Sequence, residues 1–534
     1  MCCIEARVII SMSGESCQDI DPFKKEFPPK HKFRAENYAG LVAEEAQDCH
    51  PKCSQFWVES YLTGNWVLYG CEICFTTFLF FIVTLKGEAP VKLHGTMKVS
   101  DQGHLEIGGC DTVALAKEFA TPLYVMDEEK IRSNCQEYVQ AFKKYYPNSE
   151  VIYASKVFST LAMCRLIAEE DMGLDVVSGG ELFTAIKSGF PVSRIYFHGN
   201  NKSPEELEMA LEAQVGRFVV DNFYELGLLN ELAKHRKIKA KILLRVSPGI
   251  DAHTHHYIKT GMIDSKFGLA IANGQAMMGI EKALSMKNVE LKGIHCHIGS
   301  QIFDLKSYQE AAQTMMGFLK EVKDSTGFVA QELNLGGGLG IYYSEGDTPQ
   351  SIAEMVMTIS DAIKASALLH NLSLPKIIVE PGRSIAGEAG ITLYTIGSIK
   401  DIPDVRKYVA VDGGMTDNIR PALYQAKYEA GIANKMSVPA EEVVSIAGKC
   451  CESGDMLVWD VELPRVEAGD ILVVSSTGAY NYSMSSNYNR NVKPAVVFVN
   501  NGKADIVVKR ETYADLIRND VVPNRMQDKK ACLA

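Results

Sequence analysis

The sequence contains no long block of one charge. Its 55 lysine and arginine residues and 66 aspartate and glutamate residues give a net charge of −11, and both signs are spread along the chain. Binding to nucleic acid through its phosphate charges is therefore not expected. The 14 cysteines lack the spacing of a disulfide framework, and the first residues lack a secretory signal pattern. We therefore expect reduced thiols and a cytoplasmic location.

Long hydrophobic runs are also scarce. The most apolar stretch, residues 66–85, has the length of a membrane span, but a glutamate and three threonines interrupt it, and its β-branched and aromatic residues equally suit strands. A membrane span is therefore not expected. The pairs Cys49-x3-Cys53 and Cys71-x2-Cys74 suggest zinc, but the second pair lies inside the apolar run, where a closed tetrahedral site is awkward to build. We predict no metal.

The chain is too long for one core, so two or three domains are expected. Residues 1–94 show little periodicity and predict an irregular N-terminal extension. Residues 95–125 predict strands that pack with a C-terminal β domain. Strands and helices then alternate over residues 126–385, and short alternating strands follow over residues 386–534, which indicates a β-barrel or sandwich.

The alternating region predicts eight parallel strands, which is what a TIM (β/α)8 barrel requires. The predicted strands are Val151 to Ala154, Leu174 to Val177, Arg194 to Phe197, Arg217 to Val220, Lys241 to Val246, Gly293 to His297, Glu332 to Leu335 and Lys376 to Glu380. Because such barrels carry their active sites at the C-terminal ends of the strands, the polar residues at these ends are the candidates for chemistry.

Lys156 ends the first of these strands. A lysine in that position is well placed to form a Schiff base with an aldehyde cofactor, although a strand-end lysine that reaches solvent is the ordinary alternative. His295 and His297 share a strand face; they could bind a metal, but no third ligand is spaced nearby, and an imidazole stacked on a planar cofactor fits equally well. The glycines at 336–338 could expose N–H groups to an anion, or form only a tight turn. Glu380 ends an apolar strand.

Several motifs extend this pattern along the chain. In order they are Tyr153-Ala-Ser-Lys156, Leu174-Asp-Val-Val-Ser-Gly-Gly-Glu181, His295-Cys-His-Ile-Gly-Ser-Gln301, Gly336-Gly-Gly338, Glu380-Pro-Gly-Arg383, Asp417-Asn-Ile-Arg-Pro-Ala-Leu-Tyr424, Cys451-Glu-Ser-Gly-Asp455 and Gly478-Ala-Tyr480. Together they resemble the fold-type III pyridoxal-phosphate decarboxylases, and among these the diaminopimelate decarboxylase family. The resemblance covers residues 95–500, whereas residues 1–94 match nothing in the family pattern.

The resemblance implies pyridoxal 5′-phosphate as the cofactor. Lys156 is expected to hold its aldehyde and Glu380 to face its ring nitrogen, with His297 stacked on the ring. The resemblance further implies two groups of residues. The phosphate is held by Ser300, Gly336, Gly337, Gly338 and the segment Pro381, Gly382 and Arg383, with a hydroxyl from Tyr480; Asp175, Glu181 and Arg245 orient Lys156 and the ring.

The implied activity is decarboxylation of meso-2,6-diaminopimelate to L-lysine and CO2, the last step of lysine biosynthesis. Arg383, Arg420 and Tyr424 are expected to bind the far carboxylate of the substrate, beside Tyr480, and Glu452 its far ammonium. Cys451 is expected to protonate the product carbanion. In this family the loop that carries Cys451 reaches into the partner's site, so a homodimer is implied.

Three alternatives remain open. The first is a decarboxylase of ornithine, arginine or carboxynorspermidine on the same scaffold. The second is a non-catalytic binding homologue, which should lack Lys156 or Cys451, and both are present. The third is an alanine racemase, which shares the barrel but lacks the Cys-Glu-Ser-Gly-Asp segment.

The N-terminal extension is expected to be poorly packed and dispensable. Met97 lies where family members commonly begin. A chain that begins at Met97 is therefore expected to fold, dimerise and decarboxylate as well as the full chain, whether residues 1–94 are a membrane tether or a misplaced translation start.

Overall fold

The computed structural model describes residues 56–59, 68–71, 91–250 and 265–526. The chain divides into two compact units, Met1–Glu88 and Ala89–Ala534. In the first unit, strands β1 (Phe56–Glu59) and β2 (Leu68–Cys71) pair in antiparallel fashion. Most of the apolar stretch 66–85, and all but one of the four cysteines considered for zinc, lie outside the described residues. Among the residues that are described, none of the helices is long and apolar enough to cross a bilayer.

The second unit begins with a small antiparallel sheet. It consists of β3 (Lys98–Val99), β4 (Leu105–Ile107) and β5 (Cys110–Asp111). Helix α1 (Thr112–Phe119) follows, and the Asp111 carboxylate accepts hydrogen bonds from its first free N–H groups. The buried strand β6 (Leu123–Asp127) then leads towards the barrel.

Eight parallel strands form a closed barrel. They are β7 (Ser149–Ala154), β8 (Gly173–Val176), β9 (Ile195–Phe197), β10 (Arg217–Val220), β11 (Ala240–Ser247), β13 (Val289–His295), β14 (Glu332–Asn334) and β15 (Lys376–Val379). The two-residue strand β12 (Leu269–Ala270) extends β11. The barrel closes because β15 pairs with β7 and β10 pairs with β11. The predicted TIM barrel is therefore confirmed, with each strand end within a few residues of its predicted position.

Helices follow the strands and cover the barrel. They are α2 (Glu128–Tyr145), α3 (Leu161–Glu169), α4 (Gly179–Ser188), α5 (Pro204–Ala213), α6 (Phe223–His235), α7 (Gln275–Ser285), α8 (Leu305–Thr326), α9 (Ile352–His370) and the short α10 (Arg383–Ala386). Ser178, Ser203, Asn222 and Ser351 each accept a hydrogen bond from the backbone N–H of the third residue of the helix that they precede. These caps fix where the chain turns from a strand end into a helix.

The barrel interior is packed with side chains and leaves no open channel at this level. Ile152, Tyr196, Val219, Leu243 and Ile378 form a buried cluster of their own, contributed by five strands. Since this apolar layer fills the barrel, polar side chains collect above it, at the C-terminal ends of the strands. The candidate site is therefore restricted to one mouth of the barrel.

The sheet domain is built around one long strand. Its strands are β16 (Gly390–Ile402), β17 (Arg406–Val411), β18 (Ala430–Ile432), β19 (Glu442–Ala447), β20 (Met456–Leu463), β21 (Ile471–Val474), β22 (Ala495–Asn500) and β23 (Lys503–Val508), with short helices α11 (Arg420–Tyr424) and α12 (Tyr513–Ile517). Strand β6 lies between β16 and β22. A strand that precedes the barrel in sequence is thus part of the sheet that follows it.

The core of the second unit begins before Met97. Val91 is 2% exposed and packs in the apolar cluster around β4 and β6. The Thr96 hydroxyl donates to Asp127 Oδ2 at 2.7 Å and accepts from the N–H of Gly108 at 2.7 Å. The structure therefore favours Ala89, rather than Met97, as the first residue of an independently folded chain.

Removal of residues 1–88 is expected to leave the stability of the second unit unchanged, whereas removal of residues 1–96 should lower its free energy of unfolding by about 2–4 kcal/mol. The cost combines the lost burial of Val91 with the lost hydrogen bonds of Thr96. Urea unfolding of the two shortened chains measures the difference. Equal midpoints would show that residues 91–96 add nothing to the core.

Candidate active site

A cavity of about 710 Å³ opens at the C-terminal ends of the barrel strands. It collects many of the predicted site residues from distant parts of the sequence. Those that line it are Lys156, Asp175, Arg245, His297, Ser300, Glu380, Arg383, Arg420, Tyr424 and Tyr480. The first seven come from the barrel and the last three from the sheet domain or its loops, with Arg383 at the junction between the two.

Lys156 projects into this cavity because of the turn that follows β7. The residues Ser155–Val157 form one turn of 3-10 helix, in which Ser155 and Val157 are buried and Lys156 is exposed. The neighbours of the lysine are thus anchored in the core while its side chain reaches the cavity. A cofactor aldehyde in the cavity could reach this amine.

Glu380 follows β15 and is held by three groups. Its Oε1 accepts from Asn334 Nδ2 at 2.7 Å, and its Oε2 lies 3.2 Å from His295 Nε2. His198 Nε2 forms an ion pair with Oε1 at 2.9 Å. Burial favours the neutral acid, but the two imidazoles outweigh it and hold the pKa of Glu380 well below its usual range. Glu380 is therefore a buried carboxylate at neutral pH.

The two histidines of the predicted pair have different surroundings. Strand β13 ends at His295, so His297 follows the strand rather than sharing its face, although both line the cavity. The nitrogens of His198 and His295 and the Glu380 carboxylate lie within 4.8 Å of one another. Both imidazoles therefore contact the same carboxylate.

His297 has the properties of a stacking group. Its Nδ1 accepts from the N–H of Gly337 at 3.2 Å. Burial holds the pKa of His297 well below its usual range, so the ring is neutral. A neutral imidazole that is fixed by the glycine loop suits stacking on a flat aromatic ring.

The glycine loop leaves no room for side chains. A Cβ on Gly337 would meet the Glu380 carbonyl oxygen at 2.1 Å, and one on Gly338 would meet the Gly299 carbonyl oxygen at 2.4 Å. Gly336 and Gly338 also have positive φ angles of 70° and 120°. This backbone can approach a ligand closely, as a phosphate cradle requires.

Arg383 completes the cradle on its other side. Its Nη2 donates to Ser300 Oγ at 2.9 Å and its Nη1 donates to Tyr343 OH at 2.6 Å. Its Nε is buried and has no hydrogen-bond acceptor among the described residues. Pro381 and Gly382 connect it to Glu380, so the cradle and the buried carboxylate are parts of one segment. These residues fit a phosphate group together with a protonated ring nitrogen.

Arg420 supplies a second buried guanidinium. It donates to Tyr428 OH and its guanidinium lies 4.9 Å from the centre of the Tyr343 ring. Within the described residues, neither Arg383 nor Arg420 has a carboxylate at ion-pair distance. Burial opposes ionisation of the nearby Tyr480, but Arg383, Lys156 and Arg420 outweigh it and lower the pKa of that phenol. The cavity is therefore electropositive at this end.

Asp175 and Arg245 line the cavity. Asp175 is buried, its Oδ1 has no hydrogen-bond donor among the described residues, and burial raises its pKa. Glu181 does not line the cavity; it accepts from the N–H of Val177 at 2.7 Å, and burial raises its pKa to about 7. Arg245 lies 3.9 Å from Asp221 Oδ1.

Cys451 and Glu452 are not brought to this cavity. Cys451 is exposed, and its N–H donates to Asn489 Oδ1 at 2.8 Å. Glu452 is also exposed and accepts from the N–H of Gly454 at 3.2 Å. Their assignment to the site stays a prediction that depends on a second subunit.

Sequence reasoning missed His198, Asn334 and Tyr343. The first two each stand at or just after the end of a barrel strand, so the rule that selected Lys156 and Glu380 also applies to them. Tyr343 lies in a long connection before α9, and its contact with Arg383 had no signal in the sequence.

Residues 129–387 match the family model for the pyridoxal binding domain of pyridoxal-dependent decarboxylases, which confirms the predicted cofactor. Diaminopimelate decarboxylase of Bacillus subtilis is 55% identical over 429 residues, which cover 80% of this chain and 98% of the relative. The same enzyme of Bacillus methanolicus is 56% identical over 418 residues, or 78% and 97% of the two chains.

A crystal structure of diaminopimelate decarboxylase from M. jannaschii in complex with L-lysine superposes with a TM-score of 0.75. It is 41% identical, and the match covers 81% of this chain and 99% of that one. The predicted resemblance is therefore confirmed over both the barrel and the sheet domain. The chain belongs to the diaminopimelate decarboxylase family of pyridoxal-dependent decarboxylases.

Proposed function

We propose that this chain decarboxylates meso-2,6-diaminopimelate to L-lysine and CO2, the last step of lysine biosynthesis. The observation that carries the proposal is the pair of buried arginines, Arg383 and Arg420, in the cavity that also holds Lys156. Buried cations need anionic partners, and the described residues offer them none at ion-pair distance. The phosphate of a cofactor and the far carboxylate of a substrate would supply anionic partners for these two arginines.

The barrel mouth holds the cofactor at two ends. Lys156 would bind the aldehyde carbon, while Ser300, the glycines at 336–338 and the segment 381–383 would hold the phosphate, with a hydroxyl from Tyr480. When bound, pyridoxal phosphate accepts the electron pair that the departing carboxylate leaves. Lys156, Ser300 and Arg383 all line one cavity, so groups for both ends of the cofactor face the same space.

The ionised Glu380 keeps a proton on the ring nitrogen, because its depressed pKa leaves it an acceptor at neutral pH. His297, which is neutral, would stack on the ring of the bound cofactor. Asp175, Glu181 and Arg245 act at a distance from the substrate: they orient Lys156 and the ring. None of these residues distinguishes one amino-acid substrate from another.

Arg420 and Tyr424 determine the substrate specificity. A planar guanidinium binds a carboxylate through two parallel hydrogen bonds, and a diamino acid such as ornithine has no carboxylate at its far end. Arg420 is buried, so leaving it unpaired is costly for such a substrate. This difference favours diaminopimelate over ornithine or arginine.

The working enzyme is a cytoplasmic homodimer. In it, the loop of each subunit that carries Cys451 and Glu452 contributes to the active site of the other subunit. The Asp455 carboxylate anchors that loop, since it accepts from the N–H groups of Cys450 at 2.8 Å and Met415 at 2.6 Å. Cys451 and Glu452 are exposed on the anchored loop. In the partner's cavity Cys451 delivers a proton to the product, and Glu452 binds the far ammonium.

The domain limits follow from these roles. Residues 126–385 form the pyridoxal-binding barrel, and residues 386–534 form the β domain together with the strands of residues 95–125. Pairing of β6 with β16 and β22 supports grouping these strands with the β domain, and β6 itself continues two residues past the limit, to Asp127. Residues 1–94 take no part in the chemistry.

Borohydride reduction of the cofactor-loaded protein should fix pyridoxal phosphate on Lys156, because this amine projects into the cavity from an anchored turn. Peptide mass spectrometry locates the adduct. The Lys156→Ala protein should carry none, while a Lys202→Ala protein, which loses a buried lysine paired with Glu225, should still be labelled at Lys156. An adduct at another lysine would reject this arrangement of the site.

Arg420→Ala should lower kcat/KM for meso-diaminopimelate by about 30-fold or more, since an unpaired buried carboxylate costs on the order of 2–5 kcal/mol. Arg420→Lys should recover part of the loss. Carbon dioxide release from meso-diaminopimelate, ornithine, arginine and lysine measures both the variants and the native protein. Faster release from ornithine or arginine by the native protein would contradict the proposed substrate.

Mixing the inactive Lys156→Ala and Cys451→Ala proteins should restore up to about one quarter of native activity. Random exchange of subunits makes half of the dimers mixed, and each mixed dimer has one site with both residues intact. Activity after mixing and size-exclusion chromatography measures this recovery. If the mixture stays inactive although mixed dimers form, Cys451 acts within its own subunit.

A further inference from the structure

The imidazole of His198 is buried between two carboxylates. Its Nε2 lies 2.9 Å from Glu380 Oε1 and 3.8 Å from Asp175 Oδ1. Within the described part of the chain, neither Nε2 nor Asp175 Oδ1 makes an aligned hydrogen bond. A positive charge on this imidazole would therefore act on both carboxylates, at 2.9 Å on one side and 3.8 Å on the other.

Two buried carboxylates that face one cavity repel each other, and without a nearby cation one of them takes up a proton. His295 does not supply that cation, because burial lowers its pKa to about 4. Arg245, which also faces this group from β11, lies 3.9 Å from a third carboxylate, that of Asp221. The cation in direct contact with Glu380 is then His198.

The electrostatic surroundings of His198 agree with this charge. Burial favours the neutral imidazole, but Asp175 and Glu380 outweigh it and raise the pKa of His198. The ring of His295 meets that of His198 edge to face, with 4.9 Å between the centres. The neutral ring thus packs against the charged one, and the two histidines that contact Glu380 have different tasks.

We propose that His198 is a positioning residue whose positive charge keeps Asp175 and Glu380 ionised at the same time, so that Glu380 can hold a proton on the ring nitrogen of the cofactor. If this charge is lost, a proton moves onto one of the two carboxylates. A protonated Glu380 no longer offers a full negative charge to the ring nitrogen. The inference rests on the proposed function, since only a cofactor with such a nitrogen gives Glu380 this task.

Infrared titration of the cofactor-free protein tests the proposal. The carbonyl stretch of a protonated carboxylic acid reports any Asp or Glu that takes up a proton. Adding Asp175→Asn or Glu380→Gln to each variant shows which of the two carboxylates gives the band, because the band disappears when its carboxyl group is removed. His198→Leu and His198→Gln should both raise the midpoint of this band by at least about one pH unit, which is a tenfold change in proton affinity. Both variants remove the charge, and glutamine keeps an N–H donor.

His295→Leu is the matched control. It removes the other imidazole and its 3.2 Å contact with Glu380 Oε2, but no positive charge near neutral pH. Its midpoint should move by less than half as much as that of the His198 variants. A midpoint that is unchanged in both His198 variants, or an equal shift in His295→Leu, would overturn the proposal.

Cofactor binding gives an independent second measurement. His198→Gln should weaken pyridoxal phosphate binding at least about threefold and change the pH dependence of the bound cofactor's absorbance, whereas a purely structural role would leave that pH dependence unchanged. Circular dichroism identifies a variant that fails to fold. If His198→Leu fails to fold, the result for His198→Gln decides the test. The infrared measurement uses neither cofactor nor substrate, so it is independent of the proposed function. If the native protein has no decarboxylase activity but the His198 variants still raise the midpoint, the proposed function is rejected. The inference that His198 carries a positive charge then stands.

Discussion

The buried carboxylate of Glu380 is the constraint on which the rest of the site depends. A charge in the interior of a protein is tolerated only if hydrogen bonds and counter-charges surround it. Here these come from Asn334, His295 and His198, at the ends of three other strands. One carboxylate therefore ties together the ends of β9, β13, β14 and β15, and the polar mouth of the barrel is organised around it.

The same segment also fixes the glycine loop. The N–H of Glu380 donates to the Gly336 carbonyl at 2.8 Å, and the absence of a Cβ on Gly337 lets the loop touch the Glu380 backbone. The loop in turn donates to His297. Glu380, His297 and the glycine loop, which are assigned to the ring nitrogen, the ring face and the phosphate, are thus joined by direct contacts. None of the three can therefore move without displacing the others. A rigid cofactor benefits from such a site because little ordering remains to be done on binding.

The sequence predicted the barrel well because the period of each strand and the cap of each helix are local signals. Val151 to Ala154 and Lys376 to Glu380 could be recognised as strands from their buried apolar runs alone, and both appear in the structure with nearly the same bounds. The cofactor was identified from the family resemblance that the motifs carry, among them those around Lys156, Glu380 and the glycines at 336–338. His198 and Asn334 carry the same strand-end signal but were missed, since a neutral amide or imidazole has many ordinary roles.

The sequence by itself determined the order of strands and helices, the family motifs and the chemistry that Lys156 can perform, because these depend on residue types and short spacings. Only the tertiary structure decided which charges meet. Asp175, His198 and Glu380 are far apart in the chain, and barrel closure brings both carboxylates within 4 Å of the His198 imidazole. The protonation of a buried group is set by its neighbours in space, and those neighbours exist only after the eight strands have closed.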